Sequence, residues 1–370
     1  MILLRHNATK ILLMIIFFVV SNSCNKSTDF DTKIYFAQAA KTNILPLTID
    51  NGKGILGLSL IATDIINEDV VAEIEILDEK YLEDYNSMAF TNYVSVPRNS
   101  VSFASNNLNI SKGKAVSDQL LDINVADWPE YVDGKQYAVP VRLVSKGSAQ
   151  VLPGSDIIII AVNKVIQTVA ANTATGFKVS AEDVYGKGRV VNNVTVEGKF
   201  MLTRNLVVSG NWRSDVFYGF GMQFCVVTGG GMEVRLPNSA FIFSEQPPLA
   251  TSLNTWTHFA LTYKDSQVTL FVNGEQVGSS YKYSGLPLDG LDFGTYTNGV
   301  NLSEFRVWDH VRSRQQLKTF ACAVDPASEG LLGYWRFNEG IGTLIKDVTK
   351  YKHDLTANGA VSWVTGVKCP

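Results

Sequence analysis

From Ile34 to the carboxyl end the chain runs in short stretches of alternating apolar and polar residues, cut every few positions by Asn, Gly, Ser or Asp. A period of two turns one face of each stretch toward a core, as in a half-buried strand. In residues 70–76, Val70, Ala72, Ile74 and Ile76 share one face while Glu73 and Glu75 share the other, and residues 137–143 repeat the pattern. No stretch shows the apolar stripe of a long helix, so the chain reads as all-β. With 370 residues, 46% of them hydrophobic, it has material for two cores. An apolar run at 156–162 gives way to small polar residues at 170–176. The expected division is therefore a sandwich over 34–163, a linker over 164–175 and a second sandwich over 176–370.

The first residues have a different character. Arg5, His6 and Lys10 precede an unbroken apolar run over 11–20, then Ser21, Asn22 and Ser23 lead to Cys24. A charged start, a ten-residue apolar centre and small residues at a cleavage point describe a secretory signal over 1–23. The run is shorter than the roughly 20 residues a membrane-crossing helix needs. The placement of Cys24 resembles the lipobox of bacterial lipoproteins, although Ser21 and Asn22 depart from its usual aliphatic residues. That resemblance implies an acylated Cys24, a tether over 24–33, and an exported lipoprotein of the cell envelope, held at the outer-membrane surface. Without residues 1–23, 30 basic residues face 35 acidic ones, a net charge of −5. Such a chain, with no basic cluster, carries no electrostatic footprint for nucleic acid.

Four cysteines occur. If Cys24 is acylated and Cys225, inside the apolar run 222–227, is a small buried hydrophobe, Cys322 and Cys369 are the natural pair. Two free thiols are the alternative. In the chain-entropy account, closing such a loop contributes about 4 kcal/mol.

Residues 34–163 resemble the DUF1735 domain of unknown function of Bacteroides lipoproteins. The resemblance rests on Tyr35-Phe36, Tyr85-Asn86, the run from Tyr93 to Pro97, the run from Ile110 to Gly113 and the run from Tyr137 to Val141. It implies an immunoglobulin-like β-sandwich without chemistry of its own, serving as a spacer. The segment has no histidine and one tryptophan, Trp128, placed with Pro129 in an expected turn. Residues 172–370 resemble the laminin-G-like, concanavalin A-like jelly roll. Trp256-Thr257-His258-Phe259 opens a strand that turns at Lys264-Asp265-Ser266, and its partner ends in Asn273-Gly274, a pair suited to positive φ. Ser303 to Trp308 and Gly333 to Gly340 carry the other two motifs. The resemblance implies that Trp256, Trp308, Trp335 and Phe337 are core residues. It departs in one respect: the segment with Trp335, Phe337 and Glu339 often opens such domains and here stands near the end.

The same jelly roll hosts glycoside hydrolases, so chemistry must be judged from the site. Retaining glycosidases need two carboxyl groups roughly 5 Å apart, and the jelly-roll enzymes supply them from a Glu-x-Asp run that this chain lacks. In the second half the glutamates, Glu197, Glu233, Glu275, Glu304 and Glu339, are scattered singly. His258, His310 and His353 do not form a ligand-spaced set, and His258 reads as a packed histidine. Gly229-Gly230-Gly231 lacks the Lys and hydroxyl residue of a phosphate loop. The expectation is a glycan-binding module that does not catalyse, with a protein-partner adhesion module, docked on an outer-membrane protein, and a cryptic hydrolase as rivals. Sugars need an aromatic platform and polar fingers. Trp212, Tyr218, Tyr283 and Tyr296 lie in loop-like sequence and are the candidates, with Tyr281 beside them. No cofactor is expected except calcium, which many laminin-G-like domains hold through loop oxygens. Asp347 and Asp354 are the candidate ligands, with Lys350 and Lys352 between them.

Overall fold

The computed structural model describes residues 31–179, 184, 191–204, 213–227, 231–236, 252–283, 286, 290–294 and 300–369, and the backbone of 240–244. The expected signal segment and Cys24 lie outside the described residues.

The first domain is built on a mixed sheet in the order Ile44–Ile49, Ile157–Lys164, Gln136–Ser145, Val70–Ile76, Asn107–Ile110. A smaller sheet of Lys53–Leu58, Leu121–Ala126 and Val101–Phe103, with a three-stranded ribbon opened by Lys33–Phe36, closes over it. The alternation read along 70–76 is real: Val70, Ala72 and Ile74 are buried in the core between the layers. Trp128 opens the expected turn, its carbonyl accepting from Tyr131 N–H at 3.2 Å, and its ring is buried. It is 6% exposed and meets Tyr131 and Tyr137 edge-on at 5.1 and 5.0 Å, sealing that end of the core.

One element departs from the all-strand reading. Glu79–Ala89 is an α-helix, started by Asp78, whose side chain accepts from Tyr81 N–H at 3.1 Å. Leu82 is its one buried side chain, set against Ala138 and Ile159 on the outer face of the main sheet. Tyr81 and Tyr85 pack beside it, partly buried, so the helix meets the sheet through a short face of one leucine and two tyrosines. The Tyr85-Asn86 pair belongs to it: Asn86 accepts from Tyr93 N–H at 2.9 Å and donates to Tyr93 O at 2.8 Å, fixing the next strand.

The expected linker over 164–175 is mostly strand. Ile166–Asn172 pairs with Trp363–Cys369 on one side and Asn301–Trp308 on the other, inside the second domain's sheet. Its small residues, Ala170 and Ala171, are fully buried, so they signal close packing and not a flexible joint. Val165 alone separates the last strand of one domain from the first of the next, and its N–H bonds to Ile49 O at 3.0 Å.

The second domain stacks two eight-stranded sheets. The first runs Glu275–Lys282, Gln267–Val272, Trp256–Lys264, Val194–Met201, Asn301–Trp308, Ile166–Asn172, Trp363–Cys369, with Leu331–Trp335 also on Asn301–Trp308. The second runs Ala240–Ser244, Met232–Leu236, Met222–Val227, Arg213–Gly219, Leu291–Phe293, Phe177–Val179, Leu355–Ala357, Leu344–Ile345. Between them Phe200, Phe217, Phe224, Phe259, Phe305 and Trp335 interlock with centroids 4.6–6.4 Å apart. Each such ring, fully buried, contributes about 1.5–3 kcal/mol of transfer free energy. The expected hairpin is present: Asp265 and Ser266 turn at φ 50° and 59°, and Asn273 and Gly274 at φ 49° and 76°. The late Trp335 motif finds its place because the domain's first and last strands are neighbours, and Cys322 is bonded to Cys369 with Cα atoms 5.6 Å apart.

Two expected core tryptophans differ in setting. Trp256 is half-buried, because Phe259, Leu261 and Tyr263 take the inward positions of its strand and leave Trp256 and His258 on the outer face. Trp308 is buried on that same outer face, in a separate cluster with Val324, Leu331 and Tyr334.

Candidate functional site

The core positions of the second sheet include Phe177, Met222, Phe224, Met232, Val234 and Leu291. Alternation therefore turns Lys178, Gln223, Glu233, Arg235 and Asp292 away from the core. Among them stands Tyr218, half-buried, in register between Gln223 on one neighbouring strand and Asp292 on the other. Arg213 Nε lies 3.3 Å from Asp215 Oδ1, to which Gln223 Nε2 donates at 3.1 Å. Arg235 grips both oxygens of Glu233, at 2.8 and 3.3 Å. Lys178 Nζ is 3.1 Å from Asp292. A phenol ring set among fixed amide, guanidinium and carboxylate groups has the chemistry to stack on the C–H face of a sugar and receive its hydroxyls.

Asp215 and Glu233 flank Cys225 in register, one on each neighbouring strand. Both are 2% exposed and each is engaged by its own guanidinium, which fixes them in place. Cys225 is a free, buried thiol; burial, with Glu233 and Asp215 nearby, pushes it up to about 12. It is the small buried residue expected.

The glutamates that look solitary in sequence meet on the outer face of the first sheet. Arg306, with no exposed surface, lies 3.5 Å from Glu197 Oε1 and donates to Glu304 Oε2 at 2.8 Å and to Phe320 O at 2.8 Å. Glu197 also accepts from Trp308 Nε1 at 2.8 Å, and His258 Nε2 is 3.3 Å away. Glu304 accepts from the Tyr334 hydroxyl and, at 3.2 Å, from Arg336, which reaches Asp133 of the first domain at 2.9 Å. Arg312 lies over the Trp308 ring at 4.2 Å. Burial works to raise the Glu197 carboxyl, but His258, Arg306 and Arg312 outweigh it and hold it down at about 2. Burial holds the His258 pKa below its ordinary value, against the pull of Glu197. Glu197 and Glu304 are 0% and 3% exposed, and the chain from Arg314–Thr319 to Val324 covers them. No substrate reaches this lattice, and its role is to hold structure.

In the turn where calcium was expected, Asp347 and Asp354 are engaged by donors of the chain itself. Asp347 Oδ1 accepts from Tyr334 N–H at 3.1 Å and Thr349 N–H at 2.9 Å, and Oδ2 from Thr349 Oγ1 at 2.9 Å and His353 N–H at 3.0 Å. Asp354 Oδ1 accepts from Asp347 N–H at 2.9 Å. Asp347 and Asp354 thus serve the turn as acceptors, and the described residues contain no cluster of three or more acidic, histidine or cysteine side chains suited to a metal.

Of the aromatic candidates, Tyr218 stands half-buried on the outer face of the second sheet. Tyr283 packs partly on the core, as a rim residue. Tyr281 is 39% exposed on the edge strand Glu275–Lys282. Trp212 and Tyr296 lie outside the described residues. Sequence reading missed Gln223 and Asp292, which reach Tyr218 only through strand register. It also missed Trp363, in the last strand, which lines a cavity with Asn172 and Asn301.

A family model for an N-terminal domain matches residues 30–150, and the laminin-G model of the concanavalin A-like lectin/glucanases superfamily matches residues 203–318. Among solved structures, a candidate carbohydrate-binding protein from Bacteroides ovatus shares the fold at TM-score 0.61 and 21% identity, over 91% of this chain and 99% of that one. A two-domain protein of unknown function from Bacteroides fragilis is 10% identical over 76% of this chain and 91% of its own, at TM-score 0.32. A Bacteroides thetaiotamicron protein crystallised with a Man5GlcNAc product is 17% identical over 43% of this chain and 34% of its own, at TM-score 0.31. No curated protein matches the chain.

Proposed function

We propose, from the premise that the second domain is a concanavalin A-like lectin/glucanase jelly roll, that this protein binds glycan on the outer face of its second sheet and does not cleave it. The observation that carries the reading is Tyr218, held half-buried between Gln223 and Asp292 on a face whose arginines and acids are already fixed in pairs. Pre-organised polar groups beside an aromatic ring bind a saccharide without ordering cost at the moment of contact. The Bacteroides ovatus protein of the same fold, a candidate carbohydrate binder, supports the same ligand class. A glycan array probed with the soluble chain tests it: hits are expected, and Tyr218→Ala is expected to weaken them about tenfold, or ~1.4 kcal/mol. An array without hits, alongside a co-purifying protein, would favour an adhesion module. Reducing ends released from a polysaccharide, and lost in Glu233→Gln, would favour a hydrolase.

The proposal extends to location. Acylation at Cys24 would anchor the chain in the cell envelope, at the outer-membrane surface, beside machinery that uses polysaccharide. Several acyl chains hold stably where one is marginal. Cys24→Ser is expected to release the protein from the membrane fraction, and retention of that variant would count against the anchor.

A further inference from the structure

An open cavity of about 370 Å³ is lined by Asn172, Thr175, Arg204, Asn301, Ser362 and Trp363. It belongs to the first sheet, where Asn301–Trp308, Ile166–Asn172 and Trp363–Cys369 are neighbours, and so is separate from the Tyr218 face of the second. Trp363 is half-buried and rests partly on the core, which holds its ring in place. Asn172 Nδ2 donates to Asn301 Oδ1 at 2.9 Å, while Asn172 Oδ1 accepts from Ala174 N–H at 3.0 Å, so the two amides form a fixed pair. Thr175 Oγ1 is buried and has no hydrogen-bond partner. A buried hydroxyl without a partner in a polar cavity marks a position for an incoming polar group. No carboxylate is among the described lining residues. The volume falls at the small end of the range for ligand sites, about 300–1,000 Å³, which suits a sugar ring and not a long oligosaccharide.

We propose that this cavity is a second saccharide subsite that takes a neutral hexopyranose ring, stacked on Trp363 with its hydroxyls directed to Thr175 and the Asn172–Asn301 pair. The inference takes its ligand class from the glycan-binding reading but uses none of the same residues. The test uses the full chain labelled with 5-fluorotryptophan. The chain has six tryptophans, and Trp363→Phe identifies the fluorine resonance of Trp363 by its loss. Methyl glycosides of glucose, galactose, mannose and N-acetylglucosamine are then titrated. At least one is expected to shift the Trp363 resonance saturably, with unchanged affinity in Tyr218→Ala and about tenfold lower affinity in Thr175→Val, a near-isosteric change that removes the hydroxyl. The inference is overturned if no sugar moves that resonance, or if Thr175→Val binds as the parent does. Array binding that depends on Tyr218 while the Trp363 resonance stays fixed would remove this subsite and leave the first reading intact. A shifted Trp363 resonance with array binding indifferent to Tyr218 would do the reverse.

Discussion

Glu197 has no exposed surface, and it stays charged because His258, Arg306 and Arg312 surround it. Its folded pKa of about 2 lies below the unfolded value near 4.5, so its stabilisation is fully present above about pH 4.5 and is lost as pH falls toward 2. The shift corresponds to about 3 kcal/mol. His258, whose pKa burial lowers, acts in the same direction: the unfolded chain takes up its proton below about pH 6.5 and the folded one does not. Denaturant midpoints measured from pH 7 to 3 are expected to fall steadily, and His258→Gln is expected to flatten the upper part of that fall. Arg306→Met leaves Glu197 and Glu304 without their shared cation and is expected to cost about 3–5 kcal/mol by the same measurement. A loss below ~1 kcal/mol would mean that the lattice is not what holds this face. None of this could be read in sequence. Glu197 and Glu304 are more than a hundred positions apart, and only the pairing of Glu197 opposite Arg306 brings them together. Tyr218 was legible as an aromatic in polar surroundings, whereas its flanking Gln223 and Asp292 depended on register.

At the level of the element, local chemistry was the most legible part. Asn273-Gly274 and Lys264-Asp265-Ser266 announce tight turns because positive φ restricts the residues that fit there, and both turns form where expected. The helix Glu79–Ala89 did not announce itself, since its packed face of Tyr81, Leu82 and Tyr85 spans little more than one turn. The turn at 347–354 depends on one side chain. Asp347 gathers four donors from Tyr334, Thr349 and His353, and Trp335 Nε1 bonds to His353 O at 2.7 Å, tying that turn to the core. Asp347→Ala leaves buried N–H groups without an acceptor, at about 1–3 kcal/mol. The expected result is a lower melting temperature that added calcium does not restore; recovery by calcium would show that the carboxylate had been a metal ligand.

For the whole molecule, composition and alternation gave two β-sandwiches, and the misplaced part was the joint. Small residues at 170–176 look like a linker, but Ala170 and Ala171 are small because neighbouring strands press on them. The contact between domains is equally close. Gly134 has φ +89°, and a Cβ there would stand 2.1 Å from the carbonyl carbon of Val324, while Lys135 faces Asp325 at 3.8 Å and Arg336 joins Glu304 to Asp133. Gly134→Ala is expected to push the 131–136 loop off the second domain and split one calorimetric transition into two. A single transition at the parental temperature would show that this loop does not couple the domains.

The Tyr218 face and the Trp363 cavity lie on the two sheets of one sandwich, so the distance between them is a constant of the second domain, while the single-residue passage at Val165 ties that domain closely to the first. A polysaccharide held at one position would meet the other at an effective concentration fixed by geometry and not by linker statistics. Chains whose repeat matches that span would gain avidity, and those that cannot bridge it would bind as single sugars do.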